Sequence, residues 1–144
     1  MKDIIIEPAT KFSFNPAEFV PFKDREVCER VRKIKGDDKI ILISDAYACD
    51  GPIPEGYDGV DDINFDWEGE IAGSKMTLDI SCRNMMKHTG ASMVDVFKFA
   101  SYNPARAVGF YDRGEIAVGK RADLVIADHW MNVKTVIFEG EVQS

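Results

Sequence analysis

Asp45 is the residue of this sequence best placed to do chemistry. It follows directly on Lys39-Ile40-Ile41-Leu42-Ile43-Ser44 and opens a loop over residues 45–60 that is rich in Gly, Pro and Asp. In parallel α/β folds, ligands bind beyond the carboxyl ends of the strands, where a carboxylate can accept a proton and return it. Aspartate also caps and turns loops for purely local reasons, so both roles stand open for Asp45. The second candidate is Ile71-Ala72-Gly73-Ser74, read as a turn ahead of a helix. Small residues let main-chain N–H groups approach a ligand oxygen, and a helix N-terminus favours an anion or polar acceptor. An ordinary N-cap by Ser74 would use the same residues.

The remaining polar residues point to structure. His88 falls near a predicted helix C-terminus, where it complements the dipole. His129 falls in a loop between two terminal strands. The two histidines lack metal-ligand spacing, and the three cysteines, Cys28, Cys49 and Cys82, form no C-x-x-C pair. No residue of the chain is therefore assigned as a metal ligand. Asn103-Pro104-Ala105-Arg106 reads as a helix start, with Arg106 free to pair with an acidic neighbour. Met76, Met85, Met86 and Met93 read as core filler. No nucleophile elbow, P-loop or G-x-G-x-x-G is present.

The elements that must position these residues can be read from apolar periodicity. Ile4–Ile6 predicts a short buried strand, and Asn15-Pro16-Ala17-Glu18 a helix start. Asp24 to Lys35 predicts an amphipathic helix carrying Val27, Val31 and Ile34, ended by Gly36. The run before Asp45 does not alternate, which marks a strand covered on both faces. Ile63, Phe65 and Trp67 alternate with Asn64 and Asp66, predicting a half-exposed strand. A helix is expected from about Met76 to His88 with Gly90 past its end. Ser92-Met93-Val94-Asp95 forms a capping box opening another, and Asn103 to Gly109 a further short one. Strands at 123–128, 133–138 and 141–142 close the chain. The fold class is α/β with an all-β tail.

Composition bounds the function classes. The 144 residues are 45% hydrophobic and 30% charged, as in a single globular domain with a proper core. With 18 Lys and Arg against 25 Asp and Glu, the net charge is −7. That argues against a general nucleic-acid or anionic-membrane partner, either of which needs a basic face. No apolar run reaches the ~20 residues of a membrane span, and Met1 to Pro8 lacks the apolar stretch of a signal peptide. An odd cysteine count argues against a disulfide framework. A cytoplasmic location is expected.

Four blocks then occur in one order: Ile40-Ile41-Leu42-Ile43-Ser44-Asp45-Ala46, Ile71-Ala72-Gly73-Ser74-Lys75-Met76-Thr77, Asn103-Pro104-Ala105-Arg106-Ala107-Val108-Gly109, and Gly114 to Val125. Over roughly residues 36–142 the chain resembles the C-terminal portion of N-acetylglucosamine-6-phosphate deacetylases, within the amidohydrolase superfamily. The last two blocks are shared widely in the superfamily; the first two point to the deacetylase branch.

The resemblance implies the C-terminal part of a TIM barrel, its last strand and helices, over residues 1–112. Strands of a flanking β-sandwich would follow over 113–144. It implies Asp45 as general base and acid on a metal-activated water, and Ile71, Ala72, Gly73 and Ser74 lining an amino-sugar-phosphate pocket through main-chain contacts. It also implies a divalent metal, zinc or similar, in the parent enzyme, with Asp45 as the one candidate ligand in this chain. The family's metal ligands precede this region, and residues 1–23, where one histidine segment would fall, contain no histidine. The expectation is thus a C-terminal fragment or a truncated relative, inactive alone. Exposed strand edges would favour a homo-oligomer. The rivals are an amidohydrolase for cyclic amides or nucleobases, and a non-catalytic dimerisation or binding module.

Overall fold

The structure, a computed structural model, describes residues 4–6, 29–48 and 51–143. Its first sheet is a parallel pair. Strand β1 (Ile4–Ile6) runs beside β2 (Ile40–Leu42), with Ile4 opposite Ile40 and Ile6 opposite Leu42. All three β2 residues are buried, as the unbroken apolar run requires. Helix α1 is described over 29–35, and Gly36, at φ 76°, ends it with its N–H bonded to the Arg32 carbonyl at 2.9 Å. Val31 packs on the core, whereas Ile34 is 75% exposed, so only one of these two predicted contacts forms. Among the described residues nothing covers Ile34; Asn15 to Glu18 and residues 24–28 lie outside them.

Beyond the long loop, β3 (Ile63–Phe65) pairs antiparallel with β4 (Ile71–Ser74). Two expectations are corrected here. Ile71–Ser74 is a strand, not a turn into a helix, because its backbone is taken up by the ladder with β3. Alternation along β3 also fails: Asn64 is buried with Ile63 and Phe65, and Trp67, 78% exposed, lies in the turn that follows. The register shifts by one residue, leaving Ala72 as a bulge between Ile71 opposite Phe65 and Gly73 opposite Asn64.

Helix α2 (Leu78–Thr89) follows, ended by Gly90 in the left-handed conformation at φ 67°. Its N-cap is Thr77, without a side-chain cap bond, rather than Ser74. Helix α3 (Met93–Phe97) opens on the expected capping box, in which Ser92 and Asp95 exchange side-chain-to-backbone bonds. The chain then runs through a π turn (Lys98–Tyr102) directly into α4 (Asn103–Ala107). Sequence reading expects a fresh helix at Pro104, but no break occurs. Proline offers no N–H, and the wider turn, with the Asn103 N–H bonded to the Lys98 carbonyl, carries the helix past it. Arg106 stands in α4 with Glu115 at 2.6 Å, the acidic partner expected for it.

The core lies where α2 and the α3–π segment meet β2. Ile40, Leu42, Cys82, Met85, Ala91, Val96, Phe99 and Met131 cluster there, with Met86 and Met93 against its edge. Each fully buried side chain such as Phe99 or Val96 contributes about 1.5–3 kcal/mol. Two polar ties fix the helices. Arg32 reaches Asp37 at 2.7 Å and Asp95 at 2.9 Å, over the Phe99 ring. The buried Asn103 amide donates to the carbonyls of Asp37 at 2.8 Å and Ile40 at 2.6 Å.

The chain closes in an antiparallel sheet of β5 (Leu124–Ala127), β6 (Val133–Phe138) and β7 (Glu141–Gln143). Glu139 and Gly140, both at positive φ, make the tight turn between β6 and β7. Met131, in the β5–β6 connection, inserts into the core, and Arg83 of α2 donates to the Met131 carbonyl and to Asn132. No helix among the described residues is long and apolar enough to cross a membrane.

Candidate functional site

Strand β2 delivers Asp45 to its C-terminal end, as the unbroken apolar run implied. Three residues past the strand, Asp45 turns the chain with φ at 48°, a left-handed conformation that costs a residue with a Cβ about 1–2 kcal/mol. The side chain is exposed. The backbone around it is held from β4: the Ser74 N–H donates to the Asp45 carbonyl at 2.7 Å, and the Tyr47 N–H donates to the Ser74 carbonyl at 3.1 Å. The Ser74 hydroxyl donates to the Ser44 carbonyl at 2.8 Å and accepts from the Met76 N–H at 2.9 Å. The two sequence candidates, far apart in the chain, therefore form one unit.

Gly73 makes the close approach possible. A Cβ there would stand 2.7 Å from the Asp45 carbonyl oxygen and 3.0 Å from the Tyr47 Cβ, on a backbone at φ 145°. Of the remaining candidates in β4, Ile71 is exposed and Ala72 half-buried at the bulge. Both main-chain groups of Ser74 are engaged by the Asp45–Tyr47 loop.

Beside this unit lies an open cleft of about 340 Å³, lined by Ala46, Tyr47, Ala48, Asn64, Ser74, Lys75, Met76 and Thr77. Sequence reading missed Asn64 in this role. Its amide is buried and donates to the carbonyls of Tyr47 and, at 3.1 Å, Ser74. The available signal was a lone amide between two large apolar residues, Ile63 and Phe65. At the base of α2, burial raises the Asp79 carboxyl, but the Thr77 hydroxyl and Arg83 outweigh it. The group stays below the ordinary carboxylate range.

The histidines do not join the site. His88 sits in the last turn of α2, and His129 is exposed, its ring tilted by 46° against that of Trp130. Buried Cys82 has its thiol pushed up to about 11 by desolvation and by Asp79, which removes it as a nucleophile. Among the described residues, no group of three or more His, Cys, Asp or Glu side chains could hold a metal ion. The donors present thus do not make up a metal site.

Comparison with known proteins gives this geometry its context. The sequence pattern of the Amidohydrolase family matches residues 23–142. An N-acetylglucosamine-6-phosphate deacetylase of Lysinibacillus sphaericus is 32% identical over 123 residues, covering 80% of this chain and 32% of that protein. The crystal structure of N-acetylglucosamine-6-phosphate deacetylase from Thermotoga maritima superposes with a TM-score of 0.69 at 35% identity. It covers 82% of this chain and 34% of that one. An adenine deaminase of Methanothrix thermoacetophila is 46% identical over 52 residues, 36% of this chain and 9% of that protein. The chain spans about a third of the length of the deacetylases it matches. By the match over 23–142, this chain belongs to the amidohydrolase family.

Proposed function

We propose that this chain is the C-terminal part of a metal-dependent amidohydrolase that removes the acetyl group from an amino-sugar phosphate. The observation that carries the reading is Asp45: an exposed carboxylate at the end of a buried parallel strand, on a backbone clamped by β4, in a chain similar to N-acetylglucosamine-6-phosphate deacetylases. Asp45 takes a proton from the water that attacks the amide carbonyl and gives it to the departing amine. One carboxylate thereby serves as base and then acid, and acetate and the free amine result. Ile71, Ala72, Gly73 and Ser74 wall the amino-sugar-phosphate pocket. Residues 1–112 belong to the last part of a TIM barrel and 113–144 to a flanking β-sandwich.

The divalent metal that the family resemblance implies, zinc or similar, is assigned to ligands outside this chain, since those described here do not fit it. The 144 residues alone are accordingly expected to release no acetate. A cytoplasmic homo-oligomer, with neither nucleic acid nor membrane as partner, completes the reading. A second reading, an amidohydrolase for a nucleobase, is favoured by the similarity to adenine deaminase.

The test is acetate release from N-acetylglucosamine 6-phosphate by the protein that joins this chain to the portion its relatives have in addition. Asp45→Asn is expected to lower turnover roughly 10²–10⁴-fold. Unchanged turnover in that variant would remove Asp45 from the chemistry. Ammonia release from adenine, with none of acetate from the sugar phosphate, would establish the second reading instead.

A further inference from the structure

We infer that the side chains of Asn64 and Ser74 position Asp45 by holding the backbone on either side of it, a role separate from the wall that β4 gives the proposed pocket; the inference rests on the proposed role of Asp45 as general base. Four consecutive residues, Ser44 to Tyr47, cross the end of β4, and the ties alternate along them. The Ser74 hydroxyl holds the Ser44 carbonyl, and the Ser74 N–H holds the Asp45 carbonyl. The Ser74 carbonyl receives the Tyr47 N–H, and the Asn64 amide holds the Tyr47 carbonyl. Asp45 lies in the middle of this run with φ at 48°.

A left-handed aspartate does not keep that conformation unaided, and it persists where the surroundings over-determine it. Here the surroundings are two main-chain bonds of Ser74 and two side chains, the Ser74 hydroxyl before Asp45 and the Asn64 amide after it. Asn64 is the more telling of them. Burying an amide costs free energy unless it finds partners, and the Asn64 amide meets two main-chain carbonyls. The Asn64 amide joins the end of its own hairpin, at the Ser74 carbonyl, to the loop after β2, at the Tyr47 carbonyl. An apolar residue of similar size would keep the main-chain ladder of the β3–β4 hairpin but could not tie that loop. The function of the amide is therefore the loop, and the loop carries the carboxylate.

The experiment uses the isotopically labelled 144-residue chain and the one-bond Cα–Hα coupling of Asp45, which separates positive from negative φ. The wild-type chain should show the positive-φ value. Asn64→Ala and Ser74→Ala should lose it, and Ser74→Thr, which keeps the hydroxyl, should retain it. In the active protein, Asn64→Ala and Ser74→Ala should lower kcat roughly tenfold to a hundredfold while KM changes less than about twofold.

Retention of the positive-φ coupling in both alanine variants overturns the inference, as does its loss with kcat unchanged. If Asn64→Ala does not fold, the Ser74→Ala and Ser74→Thr pair decides. Should Asp45→Asn leave turnover intact, the general-base reading fails, and with it this role for Asn64 and Ser74. The coupling would still show whether they fix the conformation, so the two failures are distinguishable.

Discussion

Replacing Asn103 by alanine removes the amide that joins the start of α4 to the start of β2. Its two bonds, 2.8 Å to the Asp37 carbonyl and 2.6 Å to the Ile40 carbonyl, are both to main-chain groups, and Asn103 is buried. A hydrogen bond of this kind contributes about 1 kcal/mol net, and a buried acceptor left without its donor costs somewhat more. The loss is therefore about 2–3 kcal/mol. For a chain of this size that corresponds to a fall in Tm of roughly 6–9 °C, at about 3 °C per kcal/mol.

Urea unfolding followed by circular dichroism measures the first quantity, and a thermal scan the second. Asn103→Asp sharpens the test, because a carboxylate facing two carbonyls repels both. Burial and those carbonyls raise its folded-state pKa above the unfolded value, so the deficit should grow as pH rises through the carboxylate range. A loss below about 0.5 kcal/mol in Asn103→Ala, or an Asn103→Asp deficit indifferent to pH, would refute the reasoning.

Three further outcomes can be checked. Gly73→Ala should destabilise by about 1–3 kcal/mol in urea unfolding, because the new Cβ meets the Asp45 carbonyl at 2.7 Å on a backbone at φ 145°; a change near zero would show that the loop gives way freely. With Cys28 and Cys49 replaced by serine, Cys82 should resist iodoacetamide at pH 8 until the protein unfolds. Its thiol is buried and pushed up to about 11, so rapid labelling of the native protein would contradict its place in the core. The Asp95 carboxyl is held low, chiefly by the Ser92 N–H and against burial, with Arg32 helping. Its stabilising contribution is complete above the unfolded value near ~3.9 and is lost as pH falls through the lower folded value. The gap in urea midpoint between wild type and Asp95→Asn should then close as pH falls below about 4, and a constant gap would refute the assignment.

Much of this molecule could be read from residue order because the relevant signals are local. The buried strand at Ile40–Leu42, the Ser92–Asp95 capping box, the glycine at position 90 and the three terminal strands are each fixed by side chains within a few positions of one another. The place of Asp45 past a strand end was legible for the same reason, since the strand is visible in the sequence beside it. The unread parts depend on partners distant in the chain. Ile71–Ser74 looks like a turn because small residues favour turns, yet it is a strand once β3 supplies a ladder. Asn64 looks solvent-facing by alternation, yet it is buried because the Tyr47 and Ser74 carbonyls wait for its amide. Pro104 looks like a fresh helix start, yet a wider turn before it keeps the helix whole.

That wider turn has a consequence for how this sequence can vary in length. A π turn holds one residue more than the α-helical count, so it is in effect an insertion that the helix has absorbed. Deleting one residue between Lys98 and Tyr102 would leave a regular helix, because a five-residue π turn and an α turn of about four residues sweep nearly the same angle. Asn103 would keep its bearing on the Asp37 and Ile40 carbonyls, and Arg106 on Glu115. The same deletion inside α2, where no turn is widened, would swing every later residue of the helix by about 100°. The stretch from Lys98 to Tyr102 is thus the place where the helix can lose a residue and still present the same face.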